Sequence, residues 1–474
     1  MAPVLLTACS GSGEEDNRMP NVGNLYINFA ISVSNGNQPS MRGTPTGGEN
    51  GDGREVGFSR ENAISGITLI LYQDAAGINT ANNPSIDFVA YYPIVSTTKA
   101  DDASVEATYE TGYQKVAHNS IDFSKTYHAI IVANANLTSS ITTSNYLNDV
   151  RDMTLSDIYY GDPTRSAIQC LGFVMSSEAD QTLDFGSKTP ERDAAGDYYY
   201  DMTDAPVQIE RMAARIDFWA VNGSYDAGKG GYVYDVTNST DKFVVTGIMP
   251  FNLTNGHSTY GKEYLLKRLT TSLDTPVTSQ WLIDETTENY VLDPMTLSKT
   301  ADVRPTLANP LSTVEDLGEE AFHSSGYYHR VTSMHDAIAS GGGYSSLDDM
   351  GRTGEDVVVA YPMENCLLPA SDLYYHATGI AIEGYYYVGG LTDASPTRYV
   401  YYTYLRHQGE ADSYDIYPSV SPGSQSTAGT AMNIGIVRNN IYRVWIDGVE
   451  TTGKLQLGLA VHDWRHVEHP SIYI

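Results

Sequence analysis

Cysteine is scarce in this chain of 474 residues, and its scarcity excludes one class of small secreted protein. The three cysteines are Cys9, Cys170 and Cys366, which are too few and too widely spaced for a disulfide scaffold. Cys170 and Cys366 lie in apolar runs, where a buried free thiol is the usual state. The chain also lacks a run of roughly 18 apolar residues, so the sequence predicts no membrane-spanning helix.

Positive charge is scarce as well. Lys and Arg together number 28 against 58 Asp and Glu, which gives a formal net charge of −30. A field of this sign repels nucleic acid and anionic membrane surfaces. The composition therefore argues against a nucleic-acid partner and suits a surface that faces the outside of a cell. Acidity that only keeps the protein soluble is an equally good interpretation.

Motifs for catalysis or cofactor binding are missing too. The sequence has no Gly-x-Ser-x-Gly elbow in a strand–helix context, no phosphate-binding loop and no EF-hand-type calcium loop. His462, His466 and His469 lie close together, but their spacing suits zinc only on a helix, and this segment has the pattern of a strand. We therefore predict a protein that is not an enzyme and holds no metal or cofactor.

The sequence is rich in strand-forming patterns. Short apolar runs alternate with turn clusters drawn from 42 glycines and 20 prolines, which predicts an all-β chain of β-sandwich architecture. The run from Tyr127 to Asn134 is continuously apolar, as in a strand buried on both faces. The tyrosines within 385–387 and 399–404 could stack on sugars, but core packing or cross-strand pairing is the preferred interpretation. No internal repeat is evident.

One alternating segment near the start stands apart from the others. Leu25, Ile27, Phe29, Ile31 and Val33 occupy every second position, which places them on one face of a strand. A long polar and glycine-rich segment follows instead of a hairpin turn. A protease could reach such a segment, so we expect the strand to be temporary: it fills a groove, is cut off and is replaced.

Three arginines could be the cut site. Arg42 lies in an extended run of Gly, Asn, Pro and Ser, so we favour cleavage between Arg42 and Gly43. Arg54 and Arg60 remain alternatives, although Arg60 adjoins the first permanent strand. The resulting domain organisation is a propeptide over 1–42, an N-terminal domain over 43–222 and a C-terminal domain over 223–474. A strand from Arg211 to Val221 is expected to be the last strand of the N-terminal domain. The long polar segment 269–356 matches no clear pattern, so it leaves the domain limits open.

Both ends of the chain carry further signals. Leu6-Thr7-Ala8-Cys9 looks like a lipobox, which predicts lipidation of Cys9; because a basic region is missing upstream, either the true start lies earlier or the signal is incomplete. At the other end, Val467, Ile472, Tyr473 and Ile474 follow an alternating strand. They form either a last strand packed on its own domain or a donor strand that fills the groove of another subunit.

Several stretches resemble the fimbrillin family of Bacteroidales, closest to the major subunits of the short, Mfa-type fimbriae. They are the lipobox at Cys9, the early strand followed by Met41-Arg42-Gly43, Ala129-Ile-Ile-Val-Ala-Asn134, Ile209-Glu-Arg-Met-Ala-Ala-Arg-Ile-Asp217, Val245-Thr-Gly-Ile to Leu265-Leu-Lys-Arg268, Tyr361-Pro-Met-Glu-Asn365, Gly435-Ile-Val-Arg-Asn-Asn-Ile-Tyr442 and Val461-His-Asp-Trp464. Together they span nearly the whole chain in family order.

The resemblance implies two tandem transthyretin-like β-sandwich domains and a type V pilin exported as an outer-membrane lipoprotein precursor. It also implies cleavage by an arginine-specific protease, head-to-tail polymerisation by strand exchange, and assembly with anchor and tip or accessory fimbrillins into a cell-surface fimbrium. Adhesion to a host or bacterial surface ligand and biofilm formation would follow. The alternative is an accessory or tip fimbrillin, or a glycan-binding surface lipoprotein.

Overall fold

The computed structural model describes most of both halves of the chain. The described residues are 24–33, 54–56, 61, 63–73, 83–94, 96–98, 108–116, 120–155, 173–177, 181–251, 263–265, 269–270, 290–291, 323, 328–339, 356–363, 365–366, 378–405, 414–415, 435–436, 438–451 and 455–465. Within these ranges no helix has the length and apolar character needed to cross a membrane.

Strands dominate the described residues. Those of the first half are β1 (Leu25–Val33), β2 (Arg54–Val56), β3 (Gly66–Tyr72), β4 (Ile86–Pro93), β5 (Ser96–Thr98), β6 (Thr108–Glu110), β7 (Gln114–Val116), β8 (Thr126–Ala133), β9 (Thr154–Leu155), β10 (Met175–Ser177), β11 (Gln181–Asp184), β12 (Glu191–Arg192) and β13 (Tyr198–Arg211). Two short helices, α1 (Leu147–Arg151) and α2 (Val331–Ala339), accompany the strands.

The described residues of the second half also form mainly strands. They are β14 (Arg215–Trp219), β15 (Ser224–Asp226), β16 (Gly231–Asp235), β17 (Lys242–Phe251), β18 (Glu263–Tyr264), β19 (Leu269–Thr270), β20 (Tyr290–Val291), β21 (His329–Arg330), β22 (Asp356–Ala360), β23 (Asn365–Cys366), β24 (Gly379–Tyr387), β25 (Thr397–Tyr404), β26 (Tyr414–Asp415), β27 (Gly435–Ile436), β28 (Asn440–Val449) and β29 (Leu455–Arg465). The predicted all-β class is therefore confirmed.

Most strands of the first half form one sheet, which we call the N-terminal sheet. Its order is β4, β3, β8, β10, β13, β1, β6 and β5, with β11 beside β8, β12 beside β13 and β7 beside β1. The first strand of the chain therefore lies inside the sheet and not at its edge. Its partner β13 is the last strand of the first half, so the two ends of this half meet at β1.

Two cores lie on the two faces of this sheet. Ala129 and Ile131 of β8 belong to a core built from the N-terminal sheet alone, while Ile130 and Val132 belong to a second core shared with the rest of the chain. All four side chains are 0% exposed. The prediction that this apolar run forms a strand buried on both faces is therefore confirmed.

The second half forms two larger sheets around the second core. The first has the order β2, β29, β28, β14 and β22, with β26 beside β29; the second has the order β15, β16, β17, β24 and β25, with β21 beside β17. The short strand β2 comes from the first half of the chain but pairs parallel with β29 at residues 463–465. The second strand of the chain thus belongs to a sheet of the second half.

The two halves share a pairing pattern that the sequence did not reveal. Strand β14 pairs parallel with β28 and antiparallel with β22. In the same way β1 pairs parallel with β13 and antiparallel with β6 and β7. The repeat is one of topology, and it supports a description of the molecule as two related β units in tandem.

The chain changes sheets between Arg211 and Arg215, so the expected strand from Arg211 to Val221 is wrong. The main chain exchanges its partners here: Met212 N–H donates to Val174 O at 3.0 Å, whereas Ala214 N–H donates to Pro362 O at 2.8 Å. Strand β14 then joins a sheet of the second half. The domain boundary placed between 222 and 223 stays a prediction.

Candidate strand-exchange site

Strand β1 is hydrogen-bonded along both edges. On one edge it pairs parallel with β13, from Leu25 opposite Tyr198 to Val33 opposite Ile209, with an irregularity between Phe29 and Ile31. On the other edge it pairs antiparallel first with β7 and then with β6. A strand in this position completes the sheet, and its removal would expose two edges that can pair with another chain.

The inward face of β1 is buried in the core of the N-terminal sheet. Leu25 is 8% exposed, Phe29 1%, and Ile27 and Ile31 0%. The ring of Phe29 lies edge-on to that of Phe185, with centroids 6.5 Å apart. The structure therefore brings these predicted residues together on one face. Val33 lies in β1, and its side chain is outside the described residues.

Where no neighbouring strand pairs with β1, polar groups of other residues form the hydrogen bonds of its main chain. Between β7 and β6, Phe29 N–H donates to Thr111 Oγ1 at 3.1 Å, and Thr111 N–H donates to Phe29 O at 3.1 Å. Thr111 is fully buried. At the start of the strand, Asn24 N–H donates to Asp197 Oδ1 at 2.6 Å. Because buried main-chain groups need partners, these contacts help to fix the register of β1.

The burial of β1 is large on the scale of domain stability. Each inward side chain contributes roughly 1.5–3 kcal/mol, so Leu25, Ile27, Phe29 and Ile31 together contribute about 6–12 kcal/mol as an upper estimate. A whole domain is stable by about 5–15 kcal/mol. Loss of β1 would therefore leave the N-terminal sheet marginally stable.

The other predicted site residues lie outside the described residues. They are the lipidation residue Cys9, the cleavage pair Arg42 and Gly43, and the donor residues Val467, Ile472, Tyr473 and Ile474. Strand β29 ends at Arg465, directly before the predicted donor tail. The assignments of these residues stay predictions.

A buried charge network lies where the two halves meet. Arg215 donates from Nε to Asp217 Oδ1 and from Nη2 to Asp217 Oδ2, both at 2.7 Å. Its Nη1 lies 3.3 Å from Glu61 Oε2, and Tyr361 donates its hydroxyl proton to Glu61 Oε1. Arg443 of β28 reaches Asp217 Oδ2 at 3.3 Å. The side chains of Glu61, Arg215, Asp217 and Arg443 are 0% exposed.

The last residue of β13 joins the same network. Arg211 donates from Nε to Glu61 O at 3.2 Å and from Nη1 to Asn439 Oδ1 at 3.0 Å. Burial lowers the pKa of Arg211 to about 10, although the charge of Glu61 opposes this shift. Burial also acts against Arg215, but Asp217 and Glu61 outweigh it and raise the pKa of Arg215. Both arginines therefore remain charged at neutral pH, and the charge of Glu61 favours the charged form of each.

Glu61 is a buried member of this network that the sequence analysis missed. It follows the glycine-rich linker and lies 154 positions before Arg215, so no local pattern connects the two. A weaker signal was present, because Glu210, Arg211, Arg215 and Asp217 interrupt an apolar run and are all fully buried. Charges inside an apolar run are paired when they are buried.

The remaining sequence predictions concern aromatic and metal sites. The ring of Tyr386 on β24 contacts that of Tyr399 on β25 at 6.3 Å, and Tyr399 stacks on Tyr401 at 5.8 Å, which matches the preferred interpretation of these tyrosines as pairing within a sheet. His462 lies in β29, a strand as expected, while His466 and His469 are outside the described residues. Among the described residues no group of three or more His, Cys, Asp or Glu could hold a metal ion.

Comparisons with known proteins give distant structural matches only. No protein-family model and no curated protein matches the sequence. A cell-adhesion candidate from Parabacteroides distasonis is 12% identical over 94% of this chain and 100% of its own, with a TM-score of 0.42. The tip fimbrial protein Mfa3 of Porphyromonas gingivalis, with a C-terminal truncation, is 11% identical over 93% and 100%, with a TM-score of 0.40.

A fimbrilin from the same species, FimA, is 13% identical over 94% of this chain and 99% of its own, with a TM-score of 0.38. Each match spans nearly the full length of both chains. Similarity at this level carries no inference about function.

Truncation of an inward side chain of β1 should destabilise the uncut protein. Phe29→Ala leaves a cavity beside Phe185, so we expect the free energy of unfolding to fall by about 3–5 kcal/mol. Urea denaturation of the full chain measures this, with Lys115→Ala on the exposed face of β7 as the control. An unchanged midpoint for Phe29→Ala would show that β1 is not packed in the core.

Neutralising Glu61 should weaken the junction. Glu61→Gln keeps the shape of the side chain but removes the negative charge that Arg215 Nη1 contacts and that acts on Arg211, which should cost about 3–5 kcal/mol. The exposed Glu191→Gln is the matched control, and urea denaturation is again the measurement. Equal stability of the two variants would remove Glu61 from the network.

Proposed function

We propose that this chain is the structural shaft subunit of a cell-surface fimbria, exported as a lipoprotein and polymerised by strand exchange after proteolysis. The observation that carries this proposal is the position of β1. It is first in the chain, yet it lies between β13 and the pair β6 and β7 with its apolar face buried. One cut therefore separates a core strand from the body without interrupting the remaining chain.

Cleavage between Arg42 and Gly43 fits the contacts of the other two arginines. Arg54 begins β2, whose main chain pairs with β29, so a protease would first have to separate that pair. Arg60 directly precedes Glu61, whose side chain is fully buried in the junction. A cut there would place a new ammonium group beside a buried charge network. A protease needs an extended and accessible chain, and Arg42 stands in a run of Gly, Asn, Pro and Ser in the sequence between β1 and β2.

The site that β1 would vacate needs a strand with apolar side chains, and the sequence of the C-terminal tail has this character. The site offers two strand edges and the pockets of Leu25, Ile27, Phe29 and Ile31; the tail offers Val467, Ile472, Tyr473 and Ile474 beyond the end of β29. Insertion of the tail of one subunit into the next is strand addition. Because donor and acceptor surfaces differ, the contact repeats head to tail and produces a filament.

The remaining parts of the proposal concern export and partners. Lipidation of Cys9 would hold the precursor at the outer membrane, and cleavage after Arg42 would release the subunit from this anchor. The protease is arginine-specific, and anchor and tip or accessory fimbrillins terminate the filament. The assembled fimbria supports adhesion to a host or bacterial surface ligand and biofilm formation.

Blocking the cut should trap the precursor. In Arg42→Ala the strand β1 cannot leave, so we expect a folded, unpolymerised protein that keeps its N-terminal segment. Electron microscopy and N-terminal sequencing of surface-sheared material measure both properties. Arg54→Ala should form normal filaments that begin at Gly43. Filaments of Arg42→Ala would contradict the assigned cut site.

Removing the end of the tail should separate processing from assembly. Deletion of residues 470–474 takes away Ile472, Tyr473 and Ile474, so the processed subunit should stay monomeric while its own sheets remain folded. Size-exclusion chromatography and circular dichroism measure this, with His469→Ala as a full-length control. Filaments of normal length from the truncated chain would eliminate the tail as the donor.

A further inference from the structure

An exposed tyrosine ring lies beside β1 on the outward face of the N-terminal sheet. Tyr113, in the gap between β6 and β7, is 42% exposed. Its ring meets that of Tyr199 on β13 edge-on, with centroids 5.2 Å apart and planes at 86°. Tyr199 in turn stacks on Tyr26 of β1 at 4.9 Å, and its hydroxyl donates to Asp193 Oδ2 at 3.1 Å. The two neighbouring rings therefore support Tyr113 from one side and leave much of its surface open to solvent.

Carboxylates lie near this ring. Partial burial raises the pKa of the Tyr113 hydroxyl, and the charges of Asp201, Glu191 and Glu110 raise it further. Within the described ranges neither Asp201 nor Glu191 forms an ion pair with a basic side chain. Lys115, which is exposed and two positions from Tyr113, makes no such pair with any described residue either. The surface around Tyr113 thus presents negative charge that no described basic side chain contacts.

A buried amide oxygen lies on the same face. Asn28 is the register partner of Asp201, and it is two positions from Tyr26, so both side chains leave β1 on the outward face. Asn28 is 7% exposed, and its Oδ1 accepts no hydrogen bond from a described residue. Because buried acceptors normally have a donor, this oxygen can bind a ligand that carries N–H groups.

We propose that this face binds a basic side chain, lysine or arginine, of a partner protein, with the cation over the ring of Tyr113 and with Asp201 and Glu191 as its counter-ions. Such a site goes beyond the proposed strand exchange and does not depend on it. A cation is attracted to the face of an aromatic ring, and carboxylates form charge-assisted hydrogen bonds with ammonium and guanidinium groups. Asn28 Oδ1 accepts from the same groups. The net charge of −30 favours the approach of a basic partner.

A neutral sugar fits this surface less well than a cation does. Tyr26 and Tyr199 stack on each other with planes within 7°, so one face of each ring is already covered. Asp201 and Glu191 would also stay without a counter-charge beside a neutral ligand, whereas a cation gains Coulomb energy from both. The charge of the site therefore favours a basic partner.

Fluorescence anisotropy with the full, uncut chain tests this site. The probe is a dye-labelled peptide of glycine and serine that carries a pair of arginines. Titration in about 0.15 M NaCl screens long-range attraction to the acidic chain as a whole. The matched probe has citrulline in place of each arginine, which keeps N–H donors in the side chain and removes the positive charge.

We expect the arginine peptide to bind, and the citrulline peptide to bind roughly tenfold more weakly or not at all. Tyr113→Leu should weaken binding about two- to fivefold, and Tyr113→Phe should preserve it because the ring remains. Asp201→Asn and Glu191→Gln should each weaken binding about two- to fivefold, whereas Asp447→Asn, an equal change of charge at an exposed position of β28, should not. Lys115→Ala should strengthen binding, since it removes a neighbouring positive charge.

Equal binding of the two peptides, or no binding of either, would overturn the proposal. Arginine-dependent binding that Tyr113→Leu, Asp201→Asn and Glu191→Gln all leave unchanged would place the cation elsewhere and overturn it as well. Binding of lactose that Tyr113→Leu abolishes, without binding of the arginine peptide, would assign this face to a neutral sugar instead. Because all the substituted side chains are exposed, the variants should fold, and circular dichroism checks this. None of these results bears on the strand exchange.

Discussion

The structure depends on one strand that is held on both edges and buried on one face. Along β1 the main chain pairs with β13 on one side and with β6 and β7 on the other, and Thr111 completes the bonding where those two strands part. A strand at the edge of a sheet can leave at little cost. A strand inside a sheet cannot, because its departure opens a core and two rows of main-chain donors and acceptors.

In the proposed assembly, the position of β1 at the start of the described chain is what allows the strand to be removed. The first strand of a domain is the one that a single cut can detach, and the rest of the N-terminal sheet stays covalently continuous. Strand β14 makes the same pattern of contacts in the second half, but it follows β13 directly in the chain. A single cut could therefore detach β1, whereas two cuts, one on each side, would be needed to detach β14.

The charge network at the junction has the opposite character, because each described member lies after the proposed cut. Glu61 contacts the end of β13 through Arg211 and the start of β14 through Arg215, and Asp217 connects Arg215 to Arg443 of β28. Buried ion pairs contribute little net stability but are costly to break. The network therefore favours one fixed arrangement of the residues that would remain in the proposed strand exchange.

Much of this could be predicted from local sequence, and the rest depends on long-range pairing. The alternation of Leu25 to Ile31 predicts a strand with one apolar face, and the run around Ile130 predicts a strand buried on both faces. The parallel pairing of β1 with β13 joins residues more than a hundred positions apart and has no local signal. The change of sheet at Met212 to Ala214 was missed for the same reason, since all three residues are apolar and give no sign that their hydrogen-bond partners change. Glu61 was missed because its partners come from distant segments.

The most direct test of the account is quantitative mass spectrometry of purified, surface-sheared filaments for peptides of the segment Leu25–Val33. If the strand is exchanged during assembly, these peptides are absent while peptides of β3 and β13 are present in equal amounts. If the peptides of β1 are found at the same abundance as those of β3 and β13, each assembled subunit retains its own first strand, and the account is wrong.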